Sequence, residues 1–254
     1  MITHNRILLP LLIALAAGAR TSAQTASAQT KSVVPFVGCK SDGQIGPGKA
    51  PRGKPKTISV PATVAQRLAY YEEEGGLAVL APSGWYCFGT YGSSGTNLYV
   101  APQPIDPKLI LSGSWKGFTG PIVQFTLEYG GTSGRFGVAK TIARVFPTHS
   151  EFVSKVISDQ EQVSPISFPR GPYPNDKLIY KGDDSVEFET PAQSKGLGTD
   201  SFLLPSSDPI RGVKILVGAE PDLMSLSARL PASETDLTSV IIQQTELYAA
   251  SVKP

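Results

Sequence analysis

The chain has 254 residues, of which 41% are hydrophobic and 17% are charged, so it is long enough and apolar enough to bury a core of its own. This composition excludes a disordered polyampholyte. Residues 1–23 contain Arg6 and Arg20 and no acidic residue, so the rest of the chain carries 21 basic and 21 acidic side chains. A net charge of zero gives no electrostatic reason to expect binding to nucleic acid or to an anionic membrane.

The first residues have the pattern of an export signal. Arg6 supplies a positive charge, residues 7–19 (ILLPLLIALAAGA) form an apolar segment too short to span a bilayer, and residues 17–19 form an A-x-A cleavage site. We predict a signal peptide over residues 1–23 and a disordered leader over residues 24–32; the alternative is a retained anchor. No later segment is long and apolar enough to cross a membrane. The mature chain is therefore expected to be soluble, in the periplasm or secreted.

The two cysteines both lie in the part of the chain that would be exported. An even number of cysteines in an oxidising compartment favours a disulfide between Cys39 and Cys87, and the alternative is two buried free thiols. Closing a loop of about 50 residues would stabilise the fold by roughly 4 kcal/mol in the chain-entropy model.

The first half is predicted to alternate short elements with turns. A short strand over residues 57–60 precedes a helix that Pro61 opens and Gly75-Gly76 ends. A buried strand follows over residues 77–80, and then a hairpin with strands over residues 85–91 and 98–100. The proline-rich segment 101–107 is a candidate boundary. It would separate an N-terminal subdomain over residues 33–100 from a part over residues 101–254, unless both form one domain.

The second half contains the strongest periodic patterns. Residues 122–129 alternate as a strand, a glycine-rich loop covers residues 130–134, and a helix is predicted over residues 136–146. A second helix begins near Thr148. The remaining predictions are a hairpin over 178–181 and 185–190, strands near 201–204, 213–217 and 223–230, and a helix over 234–249. Because strands and helices do not alternate strictly, we expect an α+β fold with mixed or antiparallel sheets, about four helices and one disulfide.

Several short segments are similar to exported bacterial proteins of unknown function. They are residues 80–87 (LAPSGWYC), 92–95 (GSSG) and 98–100 (LYV), with residues 189–192 (ETPA) and 196–199 (GLGT) nearer the C-terminus. The resemblance extends over most of the mature chain. It implies an exported protein and assigns no activity, cofactor or site residue.

The usual catalytic signatures are sparse. His149 is the one histidine outside the signal segment, so a Ser-His-Asp triad would have to use it, although a histidine near a helix start is commonly structural. No G-x-S-x-G motif is present, and oxidised cysteines would not act as nucleophiles. One histidine and two distant cysteines do not match a zinc site, so we expect no metal and no cofactor.

The strand, glycine loop and helix over residues 124–145 have the layout of a phosphate cradle without its motif. A helix N-cap at Thr132 or Ser133 is the simpler explanation, and a residual anion site at Ser133 and Arg135 is the alternative. Glu128, which ends the strand beside this loop, is the carboxylate that we single out for general acid or base chemistry.

Aromatic residues concentrate in one stretch that is also rich in Gly, Ser and Asn. Trp85, Tyr91 and Trp115 are candidates for binding a sugar or a peptide, and the alternative is an aromatic core beside a disulfide. The sequence as a whole favours an exported protein with a non-catalytic binding or structural role, whose partner would be an envelope glycan or protein. The competing hypothesis is an exported hydrolase that uses carboxylates or His149.

Overall fold

The computed structural model describes Met1 and residues 31–161 and 164–252. Apart from Met1, the predicted signal peptide lies outside the described residues, as does the predicted leader up to residue 30. Residues 31 and 32, which were expected in the leader, are the first two of a strand that runs over Lys31–Val34. None of the described helices is both long enough and apolar enough to cross a membrane.

The described residues form twelve strands, ten of them in one mixed sheet. The sheet order is β5-β4-β2-β6-β7-β8-β12-β11-β10-β9, and β1 pairs with β3 separately. Within the large sheet β2 runs parallel to β4 and β6, and the other neighbours are antiparallel. The strands are β1 (Lys31–Val34), β2 (Phe36–Gly43), β3 (Lys56–Ser59), β4 (Leu68–Glu73), β5 (Ala78–Pro82), β6 (Tyr86–Gly92), β7 (Gly95–Ala101), β8 (Ile122–Glu128), β9 (Lys177–Tyr180), β10 (Ser185–Thr190), β11 (Ile210–Val217) and β12 (Asp222–Arg229).

Five α-helices accompany the sheets, so the α+β prediction is confirmed. They are α1 (Ala62–Ala65), α2 (Pro107–Ile110), α3 (Arg135–Val145), α4 (Ser150–Glu161) and α5 (Leu237–Val252), with short 3-10 turns at Pro147–His149, Leu197–Asp200 and Ala232–Glu234. The proline-rich segment 101–107, the candidate boundary, lies between β7 and β8 in the sequence. These two strands pair with each other, so the large sheet includes strands from both sides of that segment.

The large sheet buries a hydrophobic core on each face. In its central strands, apolar side chains point alternately to one face and to the other. One core lies between the sheet and α5, and Leu98, Phe125, Leu226 and Ile241 are among its members. On this side the edge strand β5 packs against β7, β8 and α5, so the sheet curls around the core. We call the opposite side the α3 face. Its core includes Val138 on α3, which packs on β8 and β12, and α4 packs against α3.

The predicted disulfide is confirmed. Cys39 on β2 and Cys87 on β6 are bonded, with 5.4 Å between their Cα atoms and 48 residues between them in sequence. Because Lys40 pairs with Phe88 in the parallel ladder, the disulfide joins directly opposite residues of neighbouring strands.

Two predicted elements are wrong. The helix expected from Pro61 to Gly75 is a single turn followed by β4, because residues 68–73 hydrogen-bond to strands on both sides. Gly75 and Gly76 form the turn between β4 and β5, where Gly76 has φ +90° and Glu73 accepts hydrogen bonds from the backbone of the turn. The strand expected near residues 201–204 is reduced to one bridge between Leu203 and Phe118.

Candidate functional site

A row of polar side chains crosses the middle of the sheet on its α3 face. Thr90 pairs with Asn97, Asn97 with Thr126, Thr126 with Ser225, and Ser225 with Lys214. Directly paired residues of antiparallel strands point to the same side of a sheet. The five side chains therefore form one line across β6, β7, β8, β12 and β11, where an apolar row would be expected in a sheet that is covered on both faces.

Hydrogen bonds fix the first half of this row. Thr126 Oγ1 donates to Asn97 Oδ1 at 2.7 Å, and Asn97 Nδ2 donates to Thr90 Oγ1 at 3.3 Å. Gln124, one pleat earlier on β8, donates to Thr126 Oγ1 at 2.9 Å and accepts from the backbone N–H of Phe202 at 3.0 Å. The amide and hydroxyl groups are thus held in position by the sheet and by the segment around Phe202.

The row forms the floor of a cleft of about 280 Å³. Its walls are the start of β7, the end of β8 and the segment that follows the 3-10 turn Leu197–Asp200. The lining residues are Ser94, Gly95, Thr96, Asn97, Gln124, Thr126, Leu127, Glu128, Asp200, Ser201, Phe202, Lys214 and Ser225. This volume is close to the lower end of the roughly 300–1,000 Å³ that is usual for small-molecule sites.

Lys214 is the most unusual residue of the cleft. It lies in the middle of β11 between Val213 and Ile215, which point into the opposite core, and only 4% of its surface is exposed. Its ammonium group forms no salt bridge or hydrogen bond with the described residues, and it lies 5.8 Å from the centre of the Phe188 ring. Burial lowers the pKa of Lys214, and the negative charges of Glu128 and Asp200 oppose that change.

Glu128 lies at the end of β8 and contributes its carboxylate to the same cleft. Burial raises its pKa, against the attraction of Lys214 and Lys140. Its carboxylate accepts no hydrogen bond from the described residues. The carboxylate fits there because α3 has a glycine at the contact: a Cβ on Gly137 would lie 1.8 Å from Glu128 Oε1.

Asp200, the second carboxylate of the cleft, is paired. Lys140 Nζ on α3 lies 2.6 Å from Asp200 Oδ1, which also accepts a hydrogen bond from the Tyr173 hydroxyl at 2.9 Å. Burial and the neighbouring Asp200 raise the pKa of Tyr173 to about 12, so this hydroxyl remains protonated as a donor. Asp200 is therefore fixed in place, whereas neither Glu128 nor Lys214 has a hydrogen-bond or salt-bridge partner in the part of the chain that the structure describes.

A buried arginine holds the segments that cover this face. Arg229 on β12 is 1% exposed and donates to the carbonyl oxygens of Phe118 and Gly120 at 3.3 Å, and also to that of Leu204. The backbones of Phe118 and Phe202 are joined by a hydrogen bond of 2.7 Å. These contacts connect the segment after α2 to the segment that carries Asp200 and Phe202 into the cleft.

Of the aromatic candidates, Trp115 lies closest to the cleft. Its ring stacks on Phe202, a cleft residue, with 4.9 Å between the ring centroids, and it meets Tyr99 edge-on at 6.0 Å. Trp85 instead packs on the core that contains the disulfide, and Tyr91 donates its hydroxyl to the carbonyl of Gly46. The three candidates are therefore spread over separate parts of the molecule.

The glycine-rich loop before α3 is not a capped anion cradle. The predicted N-cap at Thr132 or Ser133 is wrong, because Gly134 occupies that position and no side chain caps the helix. The Ser133 hydroxyl lies 3.0 Å from that of Ser93, and the Arg135 guanidinium packs 5.1 Å from the ring of Phe136. Neither Ser133 nor Arg135 lines the cleft.

His149 forms a pair with an acid on the surface. Its Nε2 lies 2.8 Å from Asp184 Oδ1, in a separate open depression bounded by the 3-10 turn before α4 and by residues 219–221. A hydrolytic triad also requires a nucleophile that hydrogen-bonds to the histidine. Within the described residues, no serine, threonine or cysteine side chain hydrogen-bonds to His149, so the pair alone does not form such a triad.

The described residues contain no group of three or more His, Cys, Asp or Glu side chains placed to share a metal ion. Comparisons with protein families, with curated proteins and with solved structures find no match for this chain. The geometry of the cleft is therefore the basis for a functional argument.

Sequence reasoning identified Glu128 but missed the residues that surround it. The strand over residues 122–129 had a visible polar side with Gln124, Thr126 and Glu128, and Lys214 interrupts an otherwise apolar strand. A lysine inside an apolar run and a polar side on a central strand are the local signals that could have indicated the cleft. The pairing that brings them together joins strands about 90 residues apart and leaves no local signature.

Proposed function

We propose that the protein is exported and binds a small, uncharged, polyhydroxylated ligand, such as one sugar unit of an envelope glycan, in the cleft without converting it. The observation that carries this proposal is the polar row on the sheet, which ends at the buried Lys214 and has the half-buried Glu128 beside it in the same cleft. Neither of these two side chains hydrogen-bonds to another described residue. Buried polar groups normally have hydrogen-bond partners, and an unsatisfied one is costly. A ligand that supplies those partners would be stabilised by the cleft.

The chemistry of the lining favours hydroxyl groups as those partners. A hydroxyl both donates and accepts, so one ligand can donate to the Glu128 carboxylate and accept from Lys214, while Asn97 and Thr126 bond to further hydroxyls. Lys214, Glu128 and Asp200 line the cleft, and Lys140 pairs with Asp200 from outside the lining, so two positive and two negative formal charges balance there. A neutral ligand therefore leaves the charge of the cleft balanced, whereas an anion or a cation would add an uncompensated charge.

The size and the aromatic wall of the cleft agree with a single sugar ring. A volume of about 280 Å³ admits a ligand of this size and excludes a folded partner. Phe202 lines the cleft, is 43% exposed, and is supported from behind by Trp115. Aromatic rings beside polar groups suit the mixed apolar and hydroxylated faces of a sugar. The disulfide supports an oxidising compartment, and hence export.

A thermal-shift titration of the oxidised protein tests this proposal. The panel contains the methyl glycosides of glucose, galactose and N-acetylglucosamine, with inorganic phosphate and a short peptide as other ligand classes. A saturating ligand at about 100 times its Kd should stabilise the fold by roughly 2.7 kcal/mol. We expect stabilisation by at least one glycoside, and we expect Asn97→Ala to abolish it.

The matched control is Asn175→Ala, which changes an exposed asparagine remote from the cleft lining and should leave the shift intact. Stabilisation by phosphate or the peptide alone would show that the ligand class is wrong. A glycoside shift that survives Asn97→Ala would show that the sugar binds elsewhere.

A second candidate function is hydrolysis of a glycoside, and the position of Glu128 favours it. Burial raises the pKa of this carboxyl, as is typical of a general acid, and Asp200 offers a second carboxylate in the same cleft. Asp200 is engaged by Lys140 and Tyr173, which favours binding over turnover. Release of nitrophenol from 4-nitrophenyl glycosides by the wild type, lost in Glu128→Gln, would establish the hydrolase instead.

A further inference from the structure

We propose that Lys214 captures carbonyl compounds in the cleft as a reversible imine, with Glu128 transferring the protons. The inference rests on the proposed function in one respect: the open-chain form of a reducing sugar is the carbonyl compound that such a cleft would admit. It adds a covalent step that binding through hydrogen bonds does not require.

The position of Lys214 carries the inference. Its side chain starts from β11, an interior strand of the ten-stranded sheet, so its base is fixed by backbone pairing on both sides, with Val186 and Ser225 as its neighbours. It is 4% exposed, lines the cleft and forms no hydrogen bond or salt bridge with the described residues. A surface lysine is solvated and an ordinary buried lysine is paired. This amine instead opens onto the cleft and has no hydrogen-bond partner among the described residues.

Four charged groups act on this amine. Glu128, Asp200 and Asp176 favour its protonated form, and Lys140 disfavours it. Asp200 is bonded to Lys140, and Asp176 accepts hydrogen bonds from Thr190 and from the backbone of Leu197. Burial outweighs these contributions and lowers the pKa of Lys214, which increases the fraction of neutral, nucleophilic amine.

The step balances without any further reactant. The Lys214 nitrogen adds to the carbonyl carbon, the C–O π bond opens, and one proton passes from nitrogen to oxygen to give a carbinolamine. The protonated Glu128 then gives a proton to the departing hydroxyl, water leaves, and the iminium loses its remaining N–H proton to the Glu128 carboxylate. The products are an imine and one water molecule, and no oxidation or reduction takes place.

Reductive trapping of the whole oxidised protein tests the inference. The protein is incubated with D-glyceraldehyde and sodium cyanoborohydride at neutral pH, which reduces an imine to a stable amine, and labelled lysines are then located by peptide mass spectrometry. Each unit by which burial lowers a lysine pKa raises the neutral fraction about tenfold. We expect Lys214 to be labelled at least about tenfold faster than the exposed Lys116 and Lys155.

Labelling of Lys214 no faster than that of Lys116 would overturn the inference. Competition with the methyl glycoside that stabilises the protein should suppress labelling at Lys214 and leave Lys116 unchanged; equal labelling with and without it would also count against the inference. Methyl glycosides have no free carbonyl, so they test the proposed function by itself. Glycoside binding without trapping would support the proposed function and refute the imine. Trapping of Lys214 without glycoside binding would support the imine and refute the proposed binding of sugars.

Discussion

At the scale of single residues, the cleft is characterised by two ionisable side chains, the buried Lys214 and the half-buried Glu128, which form no ion pair or hydrogen bond with the described residues. Lys214 and Glu128 share one cavity, and burial shifts their pKa values in opposite directions, towards the neutral form of each. Burial of an unpaired charge costs free energy, so these residues reduce the stability of the fold. A protein that keeps such groups gains something from them other than stability, which is why we assign them to the site.

This cost predicts a specific pH dependence for Lys214→Met. When a lysine has a lower pKa in the folded protein than in the unfolded chain, the folded protein binds fewer protons. The lysine then destabilises the fold at every pH at which it is protonated in the unfolded chain. The penalty is fully present below its folded pKa and disappears as the pH rises towards 10.5, the ordinary pKa of a lysine. Lys214→Met should therefore be more stable than the wild type at pH 7, with an advantage that shrinks as the pH approaches 10.

Urea unfolding at a series of pH values between 6 and 10 measures this difference. The control is Lys116→Met at an exposed position, where the difference from the wild type should be small and independent of pH. A Lys214→Met variant that is less stable than the wild type at pH 7 would show that the lysine is paired or solvated in the folded protein.

At the scale of elements, the cleft depends on contacts that attach irregular segments to the sheet. Arg229 connects β12 to the carbonyl oxygens of Phe118, Gly120 and Leu204, so one side chain holds both segments beside the cleft. Gln124 adds a second attachment through the backbone of Phe202. The walls of the cleft are therefore held by side chains of the sheet, although the walls themselves are not strands.

We expect Arg229→Met to loosen these segments while the sheet stays formed. Each carbonyl that remains buried without its donor costs roughly 1–3 kcal/mol. Hydrogen exchange should accelerate over residues 112–121 and 201–205 and stay unchanged in β6 and β7. The matched control, Arg52→Met at an exposed position, should change neither. Unaltered exchange in both segments would contradict this role of Arg229.

The disulfide makes a comparable connection on the other side of the sheet. It joins β2 to β6 and closes a loop that contains β3, α1, β4 and β5. The double variant Cys39→Ala, Cys87→Ala should lower the free energy of unfolding by roughly 4 kcal/mol, since the unfolded chain would no longer be constrained. Urea unfolding of the two proteins measures this value, and a loss below about 1 kcal/mol would show that the unfolded chain is little affected by the bond.

At the scale of the whole molecule, local patterns predicted elements better than they predicted how those elements combine. The alternation over residues 122–129 predicted the bounds of β8 to within one residue. The prediction succeeded because one side of this strand is apolar along its length and the other side is mostly polar. The spacing of Val64, Leu68 and Tyr71 was equally compatible with a helix. Residues 68–73 form a strand because they pair with β2 and β5.

Local patterns were even less able to predict which residues come together in the cleft. Glu128 could be singled out because it ends a clear strand beside a glycine loop. Its partners in the cleft arrive by pairing of β8 with β12 and β12 with β11, so Lys214 lies 86 positions further along the sequence. Such long-range register is determined by packing over the whole sheet, and it has no counterpart in the spacing of residues within any one segment.

The most direct test of the central claim is a crystal structure of the protein soaked with the methyl glycoside of N-acetylglucosamine. The account predicts one sugar ring in the cleft, with hydroxyl groups within hydrogen-bond distance of Asn97, Glu128 and Lys214 and one face against Phe202. A sugar bound in another depression, with the cleft side chains unchanged, would contradict the claim that the polar row on the sheet is the binding site.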